Sequence, residues 1–235
     1  MTNEVAEPTS LEATADASGR FFWPPALESV RHSRSRTQKL LKRSVDVVGA
    51  SLGLAVLSPL MLAVAGAIAA TDGFPVLYRQ KRIGFGMKPF YILKFRSMRK
   101  DADEILRRDP ELLKRFEVNF KLEDDPRITR IGAFIRKLSL DELPQLYNVL
   151  RGEMTLVGPR PIVEKEVALY GKDAWVFCAS QPGCTGLWQC SGRSSLSYDA
   201  RVELDVKYVT TASFWGDLKI ILKTVLSVLK RHGAQ

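Results

Sequence analysis

Val47–Thr71 reads VVGASLGLAVLSPLMLAVAGAIAAT, 25 residues without a charge. As one continuous helix rising about 1.5 Å per residue, it reaches roughly 37 Å, more than a hydrocarbon core of about 30 Å. Pro59, preceded by Ser58, sits near its middle, where a proline removes a backbone hydrogen bond and bends a helix. The arms on either side, Val47–Ser58 and Pro59–Thr71, are each too short to span alone. A break at Ser58–Pro59 is therefore expected inside the membrane. The serine hydroxyl is available there to satisfy backbone groups that the proline frees.

The flanks carry the second argument. Arg31, Arg34, Arg36, Lys39, Lys42 and Arg43 precede the run with no acid among them. Between Asp72 and Asp101 lie Arg79, Lys81, Arg82, Lys88, Lys94, Arg96, Arg99 and Lys100. A spanning helix normally has its basic loop on one side only. Basic flanks at both ends fit two cytoplasmic ends, so residues 39–72 read as a re-entrant helix–break–helix. A kinked single span with a basic external loop, and a buried core helix, remain open.

The chain has 235 residues, room for one substantial domain or for a domain plus an anchor. Its 35 Lys+Arg against 26 Asp+Glu give a net charge of +9. Such an excess points to nucleic acid, an anionic membrane or phosphorylated substrates. Cys178, Cys184 and Cys190 recur every six residues with no histidine near them, since His32 and His232 lie at the ends. That spacing is no zinc site and reads as reduced, half-buried thiols in a cytosol-facing protein. The apolar run begins too far into the chain for a cleavable secretion signal.

Residues 1–38, rich in Ala, Ser, Thr, Glu and Pro, read as a disordered tail in which Phe21, Phe22 and Trp23 either touch the interface or stay free. Pro75–Tyr78 and Phe90–Arg96 read as short strands of a β-hairpin turning at Gly84–Phe85–Gly86. Asp101–Arg108 and Glu111–Asn119 are amphipathic helices split by Pro110, suited either to lying on the bilayer or to packing on the core. In Phe214–Lys230 the residues Lys219, Lys223, Ser227 and Lys230 share one helical stripe, the pattern of an interfacial helix. The expected fold is α+β: a mostly helical monotopic membrane enzyme with interfacial helices and a small hairpin, residues 73–235 forming its cytoplasmic catalytic domain.

The densest chemistry lies in Arg136–Leu146, RKLSLDELPQL, followed by Gly158-Pro-Arg160-Pro161. Ser139 and Glu142 match a capping box, which makes the stretch a helix start. Pro144 opposes that, because it would fall where a backbone donor is needed. With Pro144 as the first helical residue, Asp141 and Glu142 lie in the entry segment, free to face a ligand. Both readings stand at this point.

SLDELPQL, GPRP, GLWQCSGR (Gly186–Arg193), LKFRSM (Leu93–Met98) and the Ser58–Pro59 break, in combination, resemble the monotopic phosphoglycosyl transferases. These bacterial sugar transferases start exopolysaccharide and glycoprotein glycan assembly. The likeness covers Lys39 to the C-terminus. In layout it is closest to the short exopolysaccharide galactosyl-phosphate transferases, without the multi-span N-terminal region of larger relatives.

The resemblance implies that Asp141, partnered by Glu142, attacks the β-phosphorus of a UDP-sugar, expels UMP and holds the sugar phosphate for transfer to undecaprenyl phosphate. A carboxylate with a reference pKa near 3.9 is ionised at neutral pH and needs no base. Its approach to a diphosphate is repulsive, and Mg²⁺ held by Asp141 and Glu142 would remove that obstacle. Arg136, Lys94, Arg96 and Arg160 are the candidate phosphate clamps. Lys94 and Arg96 stand two apart on one strand, and Arg160 is fixed between two prolines. Family analogy adds Arg193 and Asp205 as substrate-binding residues. Trp188 either stacks on uracil or packs in the core, while Cys184 and Cys190 stand where relatives often have aliphatic residues and are expected to stay clear of the chemistry.

The expected setting is the cytoplasmic face of the bacterial inner membrane. The layout points to UDP-galactose as the UDP-hexose donor, with UDP-glucose next. The sequence leaves assembly open, a homodimer being one outcome. A nucleic-acid reading of the basic, aromatic stretch 79–100 leaves SLDELPQL and GPRP unexplained, and a decayed scaffold is at odds with the intact Asp-Glu pair; no nucleic-acid partner is expected.

Overall fold

The computed structural model describes residues 35–119, 122, 124–191 and 196–229. The expected tail up to residue 34, the aromatic patch at 21–23, Arg31, Arg34, Arg193 and Lys230 lie outside the described residues.

Helix α1 spans Arg36–Asp72. It starts three residues before the expected tail boundary, because Ser35 and Gln38 form a capping box: Ser35 Oγ accepts from the Gln38 N–H at 3.2 Å and Gln38 Oε1 from the Ser35 N–H at 3.1 Å. The expected break at Ser58–Pro59 is not an interruption of the helix, which runs through Pro59. Pro59 cannot donate to the carbonyl four residues back, at Ala55. Ser58 Oγ donates to that oxygen instead, at 2.8 Å. By length and composition α1 is able to cross a membrane.

Burial along α1 follows a two-ended pattern. Ala50 near one end packs with Ile92, Val149 and Met154, and Val64 and Ile68 near the other pack with Phe95 and Ile135. Between them Val56 and Leu62 are each 73% exposed. Lys42 and Arg43, read from sequence as membrane-flanking charges, turn inward. Arg43 donates to the carbonyls of Val149 and Leu150 at 2.7 and 2.8 Å, and Lys42 to that of Val157 at 2.9 Å.

Strands β1 (Leu77–Ile83) and β2 (Pro89–Phe95) form the antiparallel hairpin, turning over Phe85–Met87 with Gly86 at φ 66°. The first strand lies further along than the expected Pro75–Tyr78. Its charges hid it, since Arg79, Lys81 and Arg82 resemble a membrane flank until β2 supplies the pairing partner. The register sets Tyr78 opposite Lys94, Gln80 opposite Ile92 and Arg82 opposite Phe90, so these six share one face.

Helices α2 (Ala102–Arg108) and α3 (Pro110–Asn119) pack on each other through Leu106 and Leu112, closed by Leu122. Helix α4 (Arg130–Lys137) is capped by Thr129, whose Oγ1 accepts from the Gly132 N–H at 3.0 Å. A 3₁₀ turn over Leu140–Glu142 leads to α5 (Gln145–Arg151). Strand β3 (Thr155–Val157) pairs in parallel with β4 (Gly183–Thr185), a second small sheet that the sequence did not announce. Between them lie the short helices α6 (Val167–Tyr170) and α7 (Val176–Ala179); α8 (Tyr198–Thr211) and α9 (Phe214–Leu229) follow. On α9, Asp217 and Ile220 are buried, while Trp215, Leu218, Leu222 and Val225 line an exposed apolar stripe bordered by exposed Lys219 and Lys223. Among the described residues the fold is thus mixed and mostly helical, with two small sheets.

Candidate active site

The site begins at the free edge of β2. Asn148 on α5 completes that edge with its side chain: Oδ1 accepts from the Leu93 N–H at 3.0 Å and Nδ2 donates to the Tyr91 carbonyl at 2.8 Å. This bond pair fixes α5, and with it the preceding turn, against the hairpin. Lys94 then reaches Glu142, Nζ to Oε1 at 2.7 Å.

The turn is not a capping box. Ser139 has φ 56° and ψ 22° and makes no side-chain cap. A left-handed non-glycine residue costs of order 1 kcal/mol and persists where surrounding structure enforces it. Here it directs the chain so that Asp141 and Glu142 project from the turn before α5, the alternative that Pro144 favoured. Asp141 is 9% exposed.

Arg82, Lys94, Glu142, Gln145 and Arg160 line one cavity, with Cys184 of β4 in its wall. Cys184 is thus a lining residue of this cavity. Burial pushes its thiol above the ordinary range, so it is an inert part of the wall. Arg160 arrives on the segment after β3. Gly158 and Gly183 let that segment lie against β4: a Cβ on Gly183 would sit 2.1 Å from the Gly158 nitrogen. The Arg160 guanidinium lies over the Trp188 ring at 5.8 Å, and that of Arg201 at 5.2 Å. Trp188 is buried, so of its two readings core packing is the one realised.

Charge and burial oppose each other here. Burial and then the neighbouring Glu142 push the Asp141 carboxyl up to about 6, against the pull of Lys94 and Arg136. Burial also acts to raise Glu142, but Lys94, Arg160 and Arg82 outweigh it and hold this carboxyl well below the usual range. Arg136, in the last turn of α4, thus belongs to the cluster through its field on Asp141.

Arg82 is the member that sequence reasoning missed. Burial, with Arg160 beside it, lowers its guanidinium to about 10. It donates to Gln80 Oε1 at 2.7 Å, to the Pro161 carbonyl at 3.1 Å and to Glu166 at 3.4 Å. Its signal was the alternation Tyr78-x-Gln80-x-Arg82, readable only once the hairpin register was known.

Two expected substrate-binding residues are placed elsewhere. Arg96 donates to the carbonyls of Asp72, Gly73 and Pro75, closing the C-terminal end of α1 rather than facing the cavity. The last carbonyls of a helix lack intrahelical donors, and a guanidinium is well suited to them. Asp205 is 0% exposed and accepts from the Tyr170 hydroxyl at 2.9 Å. Burial pushes it up to about 7, against the Tyr170 hydroxyl and the Arg160 backbone and charge, so it supports Arg160 from behind. The basic stretch 79–100 is not one surface, because Arg82, Lys94 and Arg96 all turn inward. Among the described residues no group of three His, Cys, Asp or Glu side chains converges. A roomier cleft of about 650 Å³, lined by Arg79, Tyr91, Tyr147 and Arg151, contains none of the expected residues.

Comparison with known proteins places this arrangement. The family described as bacterial sugar transferase matches residues 37–231. The exopolysaccharide production protein ExoY of Rhizobium meliloti is 44% identical over 226 residues, 94% of this chain and 98% of that protein. The undecaprenyl-phosphate galactose phosphotransferase of Salmonella typhimurium is 46% identical over 203 residues, 85% of this chain but 42% of that protein. The UDP-glucose:undecaprenyl-phosphate glucose-1-phosphate transferase of Caulobacter vibrioides is 40% identical over 205 residues, 83% of this chain and 72% of that one. The chain thus spans less than half of some relatives and nearly all of others. With a match across nearly all of its described residues, the chain belongs to the bacterial sugar transferase family.

Proposed function

We propose that the chain transfers a hexose 1-phosphate from a UDP-hexose to undecaprenyl phosphate, the first membrane step of exopolysaccharide assembly. The observation that carries this reading is Asp141, a buried carboxylate within the field of Lys94 and Arg136, beside a Glu142 whose charge Lys94, Arg160 and Arg82 compensate. An Asp141 oxygen attacks the β-phosphorus, the bond from that phosphorus to the α–β bridging oxygen breaks, and UMP leaves. The aspartyl phosphosugar is then attacked by an oxygen of undecaprenyl phosphate, which frees the carboxylate and yields undecaprenyl-diphosphate-hexose. With its proton held only up to about 6, Asp141 is mostly ionised at neutral pH and more basic than an ordinary aspartate, as a nucleophile requires.

Arg160, Lys94 and Arg136 bind the anionic phosphates, and Arg82 holds the Arg160 segment through the Pro161 carbonyl. Asp141 and Glu142 fit Mg²⁺, being oxygen donors too few to cage a metal alone and so suited to an ion that takes its other ligands from phosphate and water. Bound there, Mg²⁺ would neutralise charge on the diphosphate. The names of the Salmonella and Caulobacter relatives favour galactose and glucose donors.

The membrane setting follows the two-ended packing of α1. Ala50 lies in one core cluster with Ile92, Val149 and Met154, and Val64 and Ile68 lie in a second with Phe95 and Ile135. Both ends rest on one charged body that has no place inside a bilayer, which supports a re-entrant anchor bent at Pro59, with the site on the cytoplasmic face.

The deciding experiment is UMP release from a UDP-hexose panel with undecaprenyl phosphate and Mg²⁺. Wild type is expected to release UMP and to form a hydroxylamine-sensitive adduct on Asp141, and Asp141→Asn to do neither. Near-normal turnover by that variant overturns the assigned nucleophile.

A further inference from the structure

Side chains from two helices bond the backbone of β3, and a third helix braces them. Asp46 on α1 accepts from the Leu156 N–H at 2.9 Å and from Thr155 Oγ1 at 2.7 Å. Lys42, one turn earlier, donates to the Val157 carbonyl at 2.9 Å and to Asp217 of α9 at 3.1 Å. The Tyr208 hydroxyl of α8 lies 2.7 Å from the same Val157 carbonyl and 2.9 Å from Asp217, sharing its one proton between the two acceptors. Asp46 and Asp217 are both buried, where an ion or hydrogen-bond partner is costly to lose.

Arg160 lies three residues beyond Val157. The intervening chain is short and stiff, since prolines at 159 and 161 fix two φ angles and Gly158 is wedged against β4. Beyond Arg160 the segment is fastened again, by the Ile83 N–H to the Ile162 carbonyl at 2.9 Å. A displacement of Val157 therefore has little slack in which to dissipate before it reaches the Arg160 guanidinium. Lys42 and Asp46 immediately precede the uncharged run that starts at Val47.

We propose that Lys42 and Asp46 are positioning residues: through β3 they set the place of Arg160, and so link the seating of the membrane anchor to the phosphate-binding cluster. The catalytic half of this inference rests on the role of Arg160 proposed above. The structural half does not.

The test uses the full-length chain in lipid nanodiscs and two readouts. Hydrogen exchange followed by mass spectrometry reads the amides of peptides covering residues 155–162. Lys42→Met and Asp46→Leu are expected to speed exchange there about tenfold or more, with Lys42→Arg restoring it. Arg43→Met, which removes the bonds to α5 alone, is expected to leave this peptide unchanged. In UMP release, Lys42→Met and Asp46→Leu are expected to raise KM for the UDP-hexose at least fivefold, more than they lower kcat. Tyr208→Phe, which deletes one hydroxyl from the same carbonyl, serves if the charge variants do not fold.

Exchange within twofold of wild type across these variants overturns the proposal, as does faster exchange with unchanged KM and kcat. A wild type that releases no UMP from any donor sinks the proposed reaction, while exchange still judges the clamp.

Discussion

Lys94 Nζ lies 2.7 Å from Glu142 Oε1, an ion pair that joins the β-hairpin to the turn carrying Asp141. Both partners are partly shielded, so the pair is more than a surface contact of a few tenths of a kcal/mol. It also accounts for the low position of Glu142, since Lys94 is the leading charge holding that carboxyl down, whereas burial and Glu142 push Asp141 up. Removing the ammonium leaves two adjacent carboxylates in a poorly solvated site. Lys94→Met is expected to lower kcat/KM for UMP release by about 10²–10³, the scale of losing one fixed charge aimed at a reacting phosphate. Steady-state kinetics of the purified variant, at matched Mg²⁺, measure it. Activity within threefold of wild type would show that the pair is structural only.

Arg96 and Arg160 stood as equals in the sequence, and the structure separates them. Arg96 is spent on three carbonyls at the end of α1, so Arg96→Met is expected to destabilise the fold by about 2–4 kcal/mol. Protein that remains folded should keep a KM for donor near that of wild type. Arg160 lines the Glu142 cavity, and Arg160→Ala is expected to cut kcat/KM by about 10² or more with a smaller change in thermal midpoint. Thermal unfolding in detergent beside UMP-release kinetics tests both at once. The reverse assignment of effects would return Arg96 to the phosphate.

What was legible in the sequence was what local chemistry determines. The uncharged run, the hairpin turn at Gly84–Gly86 and the conflict between Ser139–Glu142 capping and Pro144 are all decided within a few residues. The resemblance then singled out Asp141, Glu142, Lys94 and Arg160, and the structure brings Glu142, Lys94 and Arg160 to one cavity. What failed needed partners far along the chain. Arg82 joins the cavity only because β1 pairs in one register with β2, and β3 meets β4 across the 25 residues that connect Val157 to Gly183. Lys42 and Arg43 carry the composition of a membrane flank, and only the fold reveals that their charges bond carbonyls inside the protein. Arg96 misled for the same reason: spacing of two from Lys94 implies a shared face, but the strand ends at Phe95.

Asp205 offers a test through pH. Its carboxyl is fully buried and pushed up to about 7, with burial the cause and the Tyr170 hydroxyl and Arg160 opposing it. In the unfolded chain an aspartate titrates near 3.9. Between these values the folded protein keeps a proton that the unfolded chain releases. Stability from this group is therefore fully present below about pH 4 and is lost as pH rises through about 7. A displacement of about three pKa units corresponds to at most about 4 kcal/mol. Asp205→Asn carries no charge to bury and still offers an oxygen to the Tyr170 hydroxyl. Its thermal midpoint is expected to exceed that of wild type at pH 8 and to approach it at pH 5. Equal midpoints at pH 8, or a variant less stable there than at pH 5 relative to wild type, would mean that the buried carboxylate is ionised and paired, and that its support of Arg160 is electrostatic.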